Sequence, residues 1–409
     1  MNFDDTPQEA AFRAEASAFL AANATLKSES EPRKEREPEL VERARAWQKL
    51  KSDNGWACLQ WPEEFGGRGA SPMELIIWGQ EESRYDVPVG PYAIGLGMCG
   101  PTMIAYASDE HKAERLPRMS SGVDIWCQLF SEPAAGSDLA NLRTRSERDG
   151  NDWIINGQKI WTSGAHYSDW GILVTRSDPT VPKHKGLTFF FVDMKSPGIE
   201  IRPIKQISGD ANFNEVYFAD VRIPDDQRLG AVGDGWRVSL TTLMNERLAV
   251  GDAGGTDVPE LMDLVSKIEI DGKPAIENHA VRHKIANWYC QMSGLRNTKY
   301  RVMSALSRGQ TPGPENSITK VVSASKMQDI GAFGIDLMDM GGVVVDRKDS
   351  NGLGSRLFQA SFMLGPGYRV AGGTDEILRN IIAERVLGLP QDVRVDKGIP
   401  YNEVAQGSK

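Results

Sequence analysis

The sequence predicts an α+β fold of several domains. We expect an N-terminal all-α domain over residues 1–124, a central antiparallel β-barrel or sandwich over 125–235, a C-terminal helical bundle over 236–392 and a polar tail at 393–409. Two observations predict this order. A chain of 409 residues is too long for one hydrophobic core. Apolar residues recur at helical spacing towards both ends, whereas the middle is rich in β-branched and aromatic residues separated by glycine-containing turns.

Charge and cysteine content exclude several classes of protein. The net charge of −9 argues against binding to nucleic acid or to an anionic membrane surface, and no apolar run is long enough to span a bilayer. The N-terminus carries Asp4, Asp5 and Glu9, which is not typical of a signal or transit peptide. The four cysteines are scattered without a C-x-x-C pair, so we expect reduced thiols in a cytoplasmic protein.

The N-terminal domain begins with a capped helix. Thr6-Pro7-Gln8-Glu9 is a capping box with proline at the first helical position, and apolar residues follow on one face. Further helices are predicted near Trp47 and over residues 71–84 and 101–116.

A glycine motif lies between these helices. Gly95-Leu96-Gly97-Met98-Cys99-Gly100 matches G-x-G-x-x-G, the dinucleotide fingerprint, which must follow a strand and open a helix within a βαβ unit. Here Pro88 and Pro91 precede the motif, and helical patterns surround it. The sequence therefore favours glycines that allow close helix packing over an NAD site.

The central domain is predicted to contain short strands. They cover residues 153–155, 159–161, 171–174, 187–193, 199–203 and 215–223. Asp149-Gly150, Asn156-Gly157 and Pro197-Gly198 separate them. Asn156-Gly157 is the pair most typical of a two-residue hairpin, so we expect a hairpin there.

Two motifs in this domain favour a site for a flat heteroaromatic ligand. The sequence SEPAAGSD at residues 131–138 has small residues that let a ligand approach the backbone. Trp161, followed by Thr162 and Ser163, can lay an indole against a planar ring while a hydroxyl hydrogen-bonds the ring edge. The alternatives are a core tryptophan and ordinary turn residues.

The C-terminal region is predicted to be helical from Trp236. Leu240, Leu243, Met244 and Leu248 form one apolar stripe, and longer helices cover residues 281–306 and 317–340. Thr374 is predicted to cap a last helix whose inward face holds Leu378, Ile381, Ile382 and Leu389. The tail from Gln391 is expected to be an arm. His279 and His283 have a zinc-compatible spacing but no third ligand, so we expect a surface pair and no metal site.

The two central motifs resemble the flavin-binding β-domain of the acyl-CoA dehydrogenase family. Members carry a (T/S)EPxAGSD loop and a later W-x-(T/S)-(N/G) turn, which residues 131–138 and Trp161 with Ser163 match. The resemblance covers about residues 5–390. It implies a C-terminal four-helix bundle, bound FAD, and removal of an α-proton and a β-hydride from an acyl-CoA thioester.

The resemblance leaves the catalytic base in an unusual place. Many members have a glutamate in a Y-E-G-T segment, where this chain reads Ala371-Gly372-Gly373-Thr374. A minority, including isovaleryl-CoA dehydrogenases, place the base on the first bundle helix before an arginine, which matches Glu246 and Arg247. Glu246 shares a helix face with Leu243, which would desolvate the carboxylate and raise its pKa. The alternatives are a surface ion pair at Glu246, or Glu376 as the base.

The other site residues follow from the resemblance, motif by motif. The Gly372 amide would donate to the thioester oxygen, and Ala371 and Gly372 would leave room for a branched, cyclic or otherwise bulky acyl group. The residues expected at the flavin ring are Gln128, Phe130, Ser131, Trp161 and Ser163. Thr374 and Glu376 would contact the dinucleotide part of the cofactor. Ser137 and Arg247 would contact the CoA pantetheine or phosphate.

The resemblance also implies partners. We expect an electron-transfer flavoprotein as electron acceptor and a homotetramer. Two family segments are altered, at residues 272–277 and 338–342, and the Glu-Arg and Gly-Gly-Thr segments resemble bacterial steroid side-chain acyl-CoA dehydrogenases, so a mixed tetramer or a dimer is an alternative. The functional alternatives are an acyl-CoA oxidase and a non-catalytic subunit that completes the site of a partner.

Overall fold

A computed structural model describes residues 5–27, 36–249, 255–306, 313–314, 316–345 and 352–404, with the backbone alone for residues 246–249, 306 and 316. The chain divides into two compact units. The first comprises residues 1–205, 211–249 and 394–409, and the second comprises residues 206–210 and 250–393.

The described part of the first unit starts with six α-helices, and the first of them is capped as the sequence predicts. They are α1 (Pro7–Asn23), α2 (Glu37–Asp53), α3 (Pro72–Glu82), α4 (Gly90–Ile94), α5 (Gly100–Tyr106) and α6 (Asp109–Ser120). The capping box of Thr6 and Glu9 is present at α1. The single helix predicted over residues 101–116 is wrong, because Ala107 is extended and the Ser108 hydroxyl caps a new helix by accepting from the His111 amide.

The glycine motif lies in a continuous helical run whose segment Gly95–Cys99 is π-helical. A Cβ atom on Gly100 would lie 2.0 Å from the Trp61 ring, and one on Gly95 would lie 3.4 Å from Trp126 Cβ. The glycines therefore allow close packing, and the prediction of helix packing here is confirmed.

The centre of the first unit is one seven-stranded sheet. Its strands are β1 (Trp126–Leu129), β2 (Arg145–Asp149), β3 (Asp152–Ser163), β4 (Trp170–Arg176), β5 (Leu187–Asp193), β6 (Ile199–Ile204) and β7 (Phe213–Pro224). The sheet is mixed rather than fully antiparallel, since β4 pairs in parallel with both β1 and β2. Successive side chains of a strand point to opposite faces of the sheet. Phe189 packs in a core that the sheet shares with the helices, and Phe190 packs in a second core on the other face.

The predicted hairpin at Asn156-Gly157 is wrong. Strand β3 runs straight through it, and the register with β7 shifts there by a bulge. The Asn156 side chain hydrogen-bonds both the side chain and the amide of Asp220, at 2.9 and 3.0 Å, and a Cβ atom on Gly157 would clash with Thr144. The hairpin instead joins β2 to β3 at Gly150, whose φ is +63°.

Helix α7 (Gly235–Ala249) completes the helices of the first unit, and its buried face differs from the predicted stripe. Leu240 and Met244 are exposed, whereas Val238, Ser239 and Thr242 are buried. The buried hydroxyls are hydrogen-bonded, so polar residues can occupy this face. Leu248 lies outside the residues whose side chains are described.

The C-terminal tail is not a free arm along its whole described length. Residues 391–395 are exposed, but Tyr401 is buried within the first unit. The amides of Tyr401 and Asn402 donate to the carbonyls of Val181 and Pro179 at 2.9 and 3.0 Å.

The second unit is helical. It contains α8 (Val258–Lys267), a small hairpin of β8 (Glu269–Ile270) and β9 (Lys273–Pro274), α9 (His279–Leu306), α10 (Asn316–Leu337), α11 (Met340–Val343), α12 (Ser355–Val370) and α13 (Asp375–Ile381). Its core joins α8, α9, α10 and α12. Thr374 caps α13 by accepting from the Ile377 amide at 3.2 Å, as predicted. Leu389, expected to face inward, is exposed. None of the described helices is long and apolar enough to cross a bilayer.

Candidate functional site

The SEPAAGSD loop (residues 131–138) follows β1, and most of its residues are exposed. Reciprocal hydrogen bonds between the amides and carbonyls of Glu132 and Ala135, at 2.9 and 3.0 Å, close a tight turn. Pro133, Ala134, Gly136 and Ser137 are exposed. These exposed residues are small, which suits the predicted approach of a ligand to the main chain of the loop; that contact stays a prediction.

A buried ion pair fixes the start of this loop. Lys159 Nζ lies 2.8 Å from Glu132 Oε1 and 3.1 Å from the Phe130 carbonyl oxygen, and both charged side chains are buried. The amides of Arg143 and Thr144 donate to the two Glu132 oxygens at 2.6 and 2.9 Å. Glu132 therefore ties the start of the loop to the chain that leaves it, and Lys159 ties both to β3.

The electrostatics of this pair favour its ionised form at Glu132. Burial alone would raise the pKa of the Glu132 carboxyl, but the Lys159 ammonium and the backbone donors hold that pKa below its usual value. Burial lowers the pKa of Lys159, and the Glu132 charge opposes that shift. The motif glutamate is thus a locked acceptor and not a proton acceptor for chemistry. Sequence reasoning missed Lys159, although a lysine amid the apolar residues of a strand was a usable signal.

Trp161 is presented outward by a strained backbone. The Ile160 amide donates to the Ser131 carbonyl at 2.8 Å, so the loop and β3 are joined directly before the tryptophan. Trp161 has φ of 60°, within a register shift against β7, and the residue is 56% exposed. Its ring meets only the edge of Phe213 among the aromatic contacts of the described residues, at 6.0 Å. Such an outlier on a bulky residue points to a functional constraint, and the open indole face fits a planar ring.

The turn after Trp161 is fixed by a series of hydrogen bonds between polar side chains. Asn214 Nδ2 donates to the Thr162 carbonyl at 2.9 Å, and Asn214 Oδ1 lies 3.0 Å from His166 Nδ1. His166 Nε2 lies 2.6 Å from Glu37 Oε2 on α2. These contacts fix the backbone at Thr162 and Ser163 while leaving Ser163 half-exposed. The sequence analysis did not single out Asn214 or His166. The one signal for them was an asparagine directly before a predicted strand, in phase with the inward-facing residues of that strand.

The other residues predicted to bind ligand in this region differ in how exposed they are. Gln128 is half-exposed on β1. The Phe130 side chain is buried edge-on against Phe189 at 5.6 Å, so only its backbone can face a ligand. Ser137 is exposed, and its neighbour Asp138 forms an ion pair with Lys183 at 2.7 Å.

Helix α7 places the predicted base Glu246 and Arg247 near its C-terminal end. Their side chains lie outside what the structure describes. The helix is anchored one turn earlier, where Thr242 Oγ1 lies 2.9 Å from Thr102 Oγ1 and Thr241 Oγ1 lies 2.9 Å from Tyr106 Oη. The hydroxyl of Thr242 thereby fixes α7 on α5 one helical turn before position 246.

In the second unit, the turn from α12 to α13 is built on glycine conformations. Gly372 and Gly373 have φ of +64° and +96°, in the left-handed region that disfavours side chains. Ala371 and Gly372 are exposed. The backbone at Gly372 is therefore suited to glycine, and a glutamate there would be strained.

A buried carboxylate organises this second turn. Asp375 Oδ2 accepts from Arg369 Nε at 2.7 Å, and Lys320 Nζ lies 4.0 Å from Asp375 Oδ1 while donating to the Gly373 carbonyl. Burial lowers the pKa of Lys320, against the charge of Asp375. Thr374 is half-exposed and Glu376 is exposed, so both can contact a ligand.

Metal chemistry finds no support among the described residues, which contain no group of three or more His, Cys, Asp or Glu side chains placed to hold an ion. His279 and His283 are both exposed at the start of α9. All four cysteines are free, as expected from their spacing, and burial raises the pKa of the Cys58 and Cys127 thiols to about 12.

Comparison with known proteins gives a consistent result. Three family models match consecutive parts of the chain: the acyl-CoA dehydrogenase N-terminal domain over residues 6–123, the middle domain over 127–221 and the C-terminal domain over 233–387. The acyl-CoA dehydrogenase FadE34 of Mycobacterium tuberculosis is 38% identical over 83% of this chain, but the chain spans only 45% of its length. The acyl-CoA dehydrogenase IpdE1 of the same organism is 36% identical over 94% of this chain and 98% of its own length.

Solved structures are similar over almost the whole chain. The ChsE4-ChsE5 complex from Mycobacterium tuberculosis is 26% identical with a TM-score of 0.77, covering 96% of this chain and 100% of that one. The structure named Tcur3481-Tcur3483 steroid ACAD is also 26% identical, with a TM-score of 0.78 and the same coverage.

Proposed function

Since the chain belongs to the acyl-CoA dehydrogenase family of flavin-dependent oxidoreductases, we propose that it binds FAD and converts an acyl-CoA thioester to the 2-enoyl-CoA. The observation that carries the proposal is the joined pair of motifs, in which the Ile160 amide holds Ser131 beside the exposed, strained Trp161. A pre-set indole face next to a loop of accessible amides suits a planar cofactor. The bound flavin supplies the acceptor for the β-hydride.

Different residues of the chain would bind the flavin ring, the dinucleotide part of FAD and the substrate. Gln128, Ser131 and the Phe130 backbone would hold the ring edge, with Trp161 and Ser163 against the ring. Thr374 and Glu376 would contact the dinucleotide part of FAD. Ser137 and Arg247 would contact the CoA portion of the substrate. Exposure of Ser137, Trp161 and Glu376 is compatible with these roles.

Glu246 is the proposed base that takes the α-proton. The support is threefold: Gly372 has no side chain and adopts a conformation suited to glycine, Glu132 is locked in an ion pair, and α7 is anchored one turn before Glu246. The Gly372 amide would donate to the thioester oxygen, where negative charge develops as the proton leaves.

The substrate class is proposed to be bulky. Ala371 and Gly372 contribute almost no side-chain volume to an exposed turn, and one similar structure is named as a steroid ACAD. A branched, cyclic or steroid side-chain acyl group fits these features. Fast turnover of short linear acyl-CoAs with none of bulky ones would contradict this part.

Two kinds of protein partner are proposed, an electron acceptor and further subunits of an oligomer. An electron-transfer flavoprotein is the proposed acceptor of electrons from the flavin. The exposed valines 343–345 on the second unit suit burial in an oligomer, and we propose a tetramer, homomeric or mixed, because one similar structure is a complex of two named chains. A cytoplasmic location stays a prediction from the sequence.

A second candidate function is a subunit that lacks turnover and completes the site of a partner, which Gly372 favours. The visible spectrum of the chain expressed alone separates the two. A yellow protein that bleaches with a bulky acyl-CoA in the absence of oxygen supports the dehydrogenase. A protein that binds no flavin, or that never bleaches, supports the subunit. Peroxide formed during turnover in air would indicate an oxidase.

A further inference from the structure

The far end of the SEPAAGSD loop has a support of its own. Its start is held by the pair Glu132 and Lys159, whereas residues 138–142 beyond it are held by Arg176 and Lys183. Arg176 is buried and donates to the carbonyls of Ala140 and Leu142 at 2.5 and 3.1 Å. A third donor of Arg176 reaches the Lys183 carbonyl at 3.2 Å. This guanidinium therefore gathers the chain just after Ser137 into one place.

The C-terminal segment 394–404 closes over this support. The ring of Tyr401 covers the Arg176 guanidinium at 3.5 Å, and its hydroxyl donates to the Asn141 carbonyl at 3.3 Å. The three carbonyl oxygens that accept from this guanidinium are neutral, so the aromatic face adds electrostatic stabilisation to a buried positive charge. Tyr401 is itself held by its amide, which donates to the Val181 carbonyl at 2.9 Å.

A shared lysine makes the second link. Lys183 Nζ lies 2.7 Å from Asp138 Oδ2 and 2.5 Å from Asp396 Oδ2. Asp138 is the last residue of the loop and the direct neighbour of Ser137. Segment 394–404 thus touches the loop through one ion-pair bridge and one aromatic cap, although more than 250 residues of chain separate them.

We propose that segment 394–404 is a clip that fixes residues 138–142 and thereby sets the position of Ser137 for the CoA portion of the substrate. Tyr401 and Asp396 are positioning residues in this proposal, since they act through Asn141, Arg176 and Lys183. The role of the clip in substrate binding rests on the proposed function, because Ser137 must contact the CoA portion of the substrate. The start of the loop does not depend on the clip, so loss of the clip should weaken substrate binding while flavin stays bound.

The test compares Tyr401→Ala and Tyr401→Phe in the full chain, with Val395→Ala as the control on an exposed position of the same segment. Hydrogen exchange at the Asn141 and Leu142 amides, which donate to the carbonyls of Asp138 and Leu139, reports the clip directly. Calorimetric affinity for an acyl-CoA reports Ser137, and the visible spectrum reports flavin. We expect Tyr401→Ala to speed exchange at both amides and to weaken acyl-CoA binding by about tenfold with flavin content unchanged. Tyr401→Phe should fall between Tyr401→Ala and the control.

Unchanged exchange in Tyr401→Ala would overturn the clip. Faster exchange with unchanged acyl-CoA affinity, or equal losses of acyl-CoA and flavin, would overturn its link to Ser137. If the wild-type chain binds no acyl-CoA at all, the proposed function fails, and the exchange data still decide whether the clip exists.

Discussion

Two loops of this protein are each organised around a buried carboxylate, and they differ in how completely that carboxylate is bonded. Both oxygens of Glu132 accept hydrogen bonds, and its partner Lys159 is fully buried. In the turn before α13, Arg369 bonds one oxygen of Asp375, while the other has no hydrogen-bond partner in the part of the chain that the structure describes. Lys320 and Arg369 are also partly exposed.

The two loops are therefore suited to a ligand in different ways. A fully bonded buried pair sets the SEPAAGSD loop before any ligand arrives. A buried acceptor without a hydrogen bond is costly, so the turn at Gly372 has a polar group that can gain from rearrangement. The first loop is therefore a preformed binding surface, and the second is the part expected to adjust.

Breaking the Glu132 pair should have the largest effect. Glu132→Gln leaves the Lys159 ammonium buried without its counter-charge, which costs about 3–5 kcal/mol in the free energy of unfolding. Urea denaturation of the flavin-free chain measures this loss. Glu132→Gln combined with Lys159→Met removes both charges and should recover part of it. Equal losses in the single and double variants would show that the pair is not the organising feature.

The same change in the second turn should cost less. Asp375→Asn removes a charge whose partners are partly exposed, so we expect a loss of about 1–3 kcal/mol in the free energy of unfolding. Urea denaturation again gives the value. A loss as large as that of Glu132→Gln would remove the distinction between the two loops.

Replacing Trp161 should weaken flavin binding with little change in the stability of the fold. Trp161→Gly relieves a left-handed conformation and removes little buried surface, so the free energy of unfolding should stay within about 1 kcal/mol of wild type. Flavin affinity, measured by fluorescence titration, should fall at least about tenfold. Trp153 on the same strand is the matched control, since it is buried and its indole donates to Asp225 at 2.7 Å. Trp153→Gly should cost at least about 3 kcal/mol. Similar stability losses at both positions would contradict the exposed role of Trp161.

Low pH should produce the smallest loss of stability. That loss should come from two carboxylates of the central β-domain. Hydrogen bonds from the Arg228 guanidinium lower the pKa of Asp225 to about 2, and the pKa of Glu132 is also held low. Both carboxylates bind protons more weakly in the folded state, so their stabilisation is complete above about pH 5, beyond the unfolded pKa of both groups, and is lost as the pH falls through their folded pKa values, about 2 for Asp225. Thermal melts between pH 5 and 2 should show a falling Tm, with a shallower fall in Asp225→Asn. An identical fall in wild type and Asp225→Asn would contradict the assignment.

Local signals in the sequence predicted the caps, most strands and the glycine packing correctly, because those features depend on neighbours in the chain. The hairpin at Asn156-Gly157 was wrong because its outcome depends on Asp220 and Thr144, which are distant in sequence. Leu240 was expected to be buried, but the hydroxyl of Thr102 gives the opposite face of α7 its partner. The site motifs located the loop and Trp161, whereas Lys159 required knowledge of the fold.

The most direct test of the account is the rate of flavin reduction by a bulky acyl-CoA, followed anaerobically in Glu246→Gln and Glu376→Gln. We expect Glu246→Gln to keep its flavin and to be reduced about 10²–10⁴-fold more slowly than wild type, since only the proton acceptor is lost. Glu376→Gln should retain most of the rate once flavin is bound. Normal reduction of Glu246→Gln, with loss of the rate in flavin-loaded Glu376→Gln, would contradict the assignment of the base to α7.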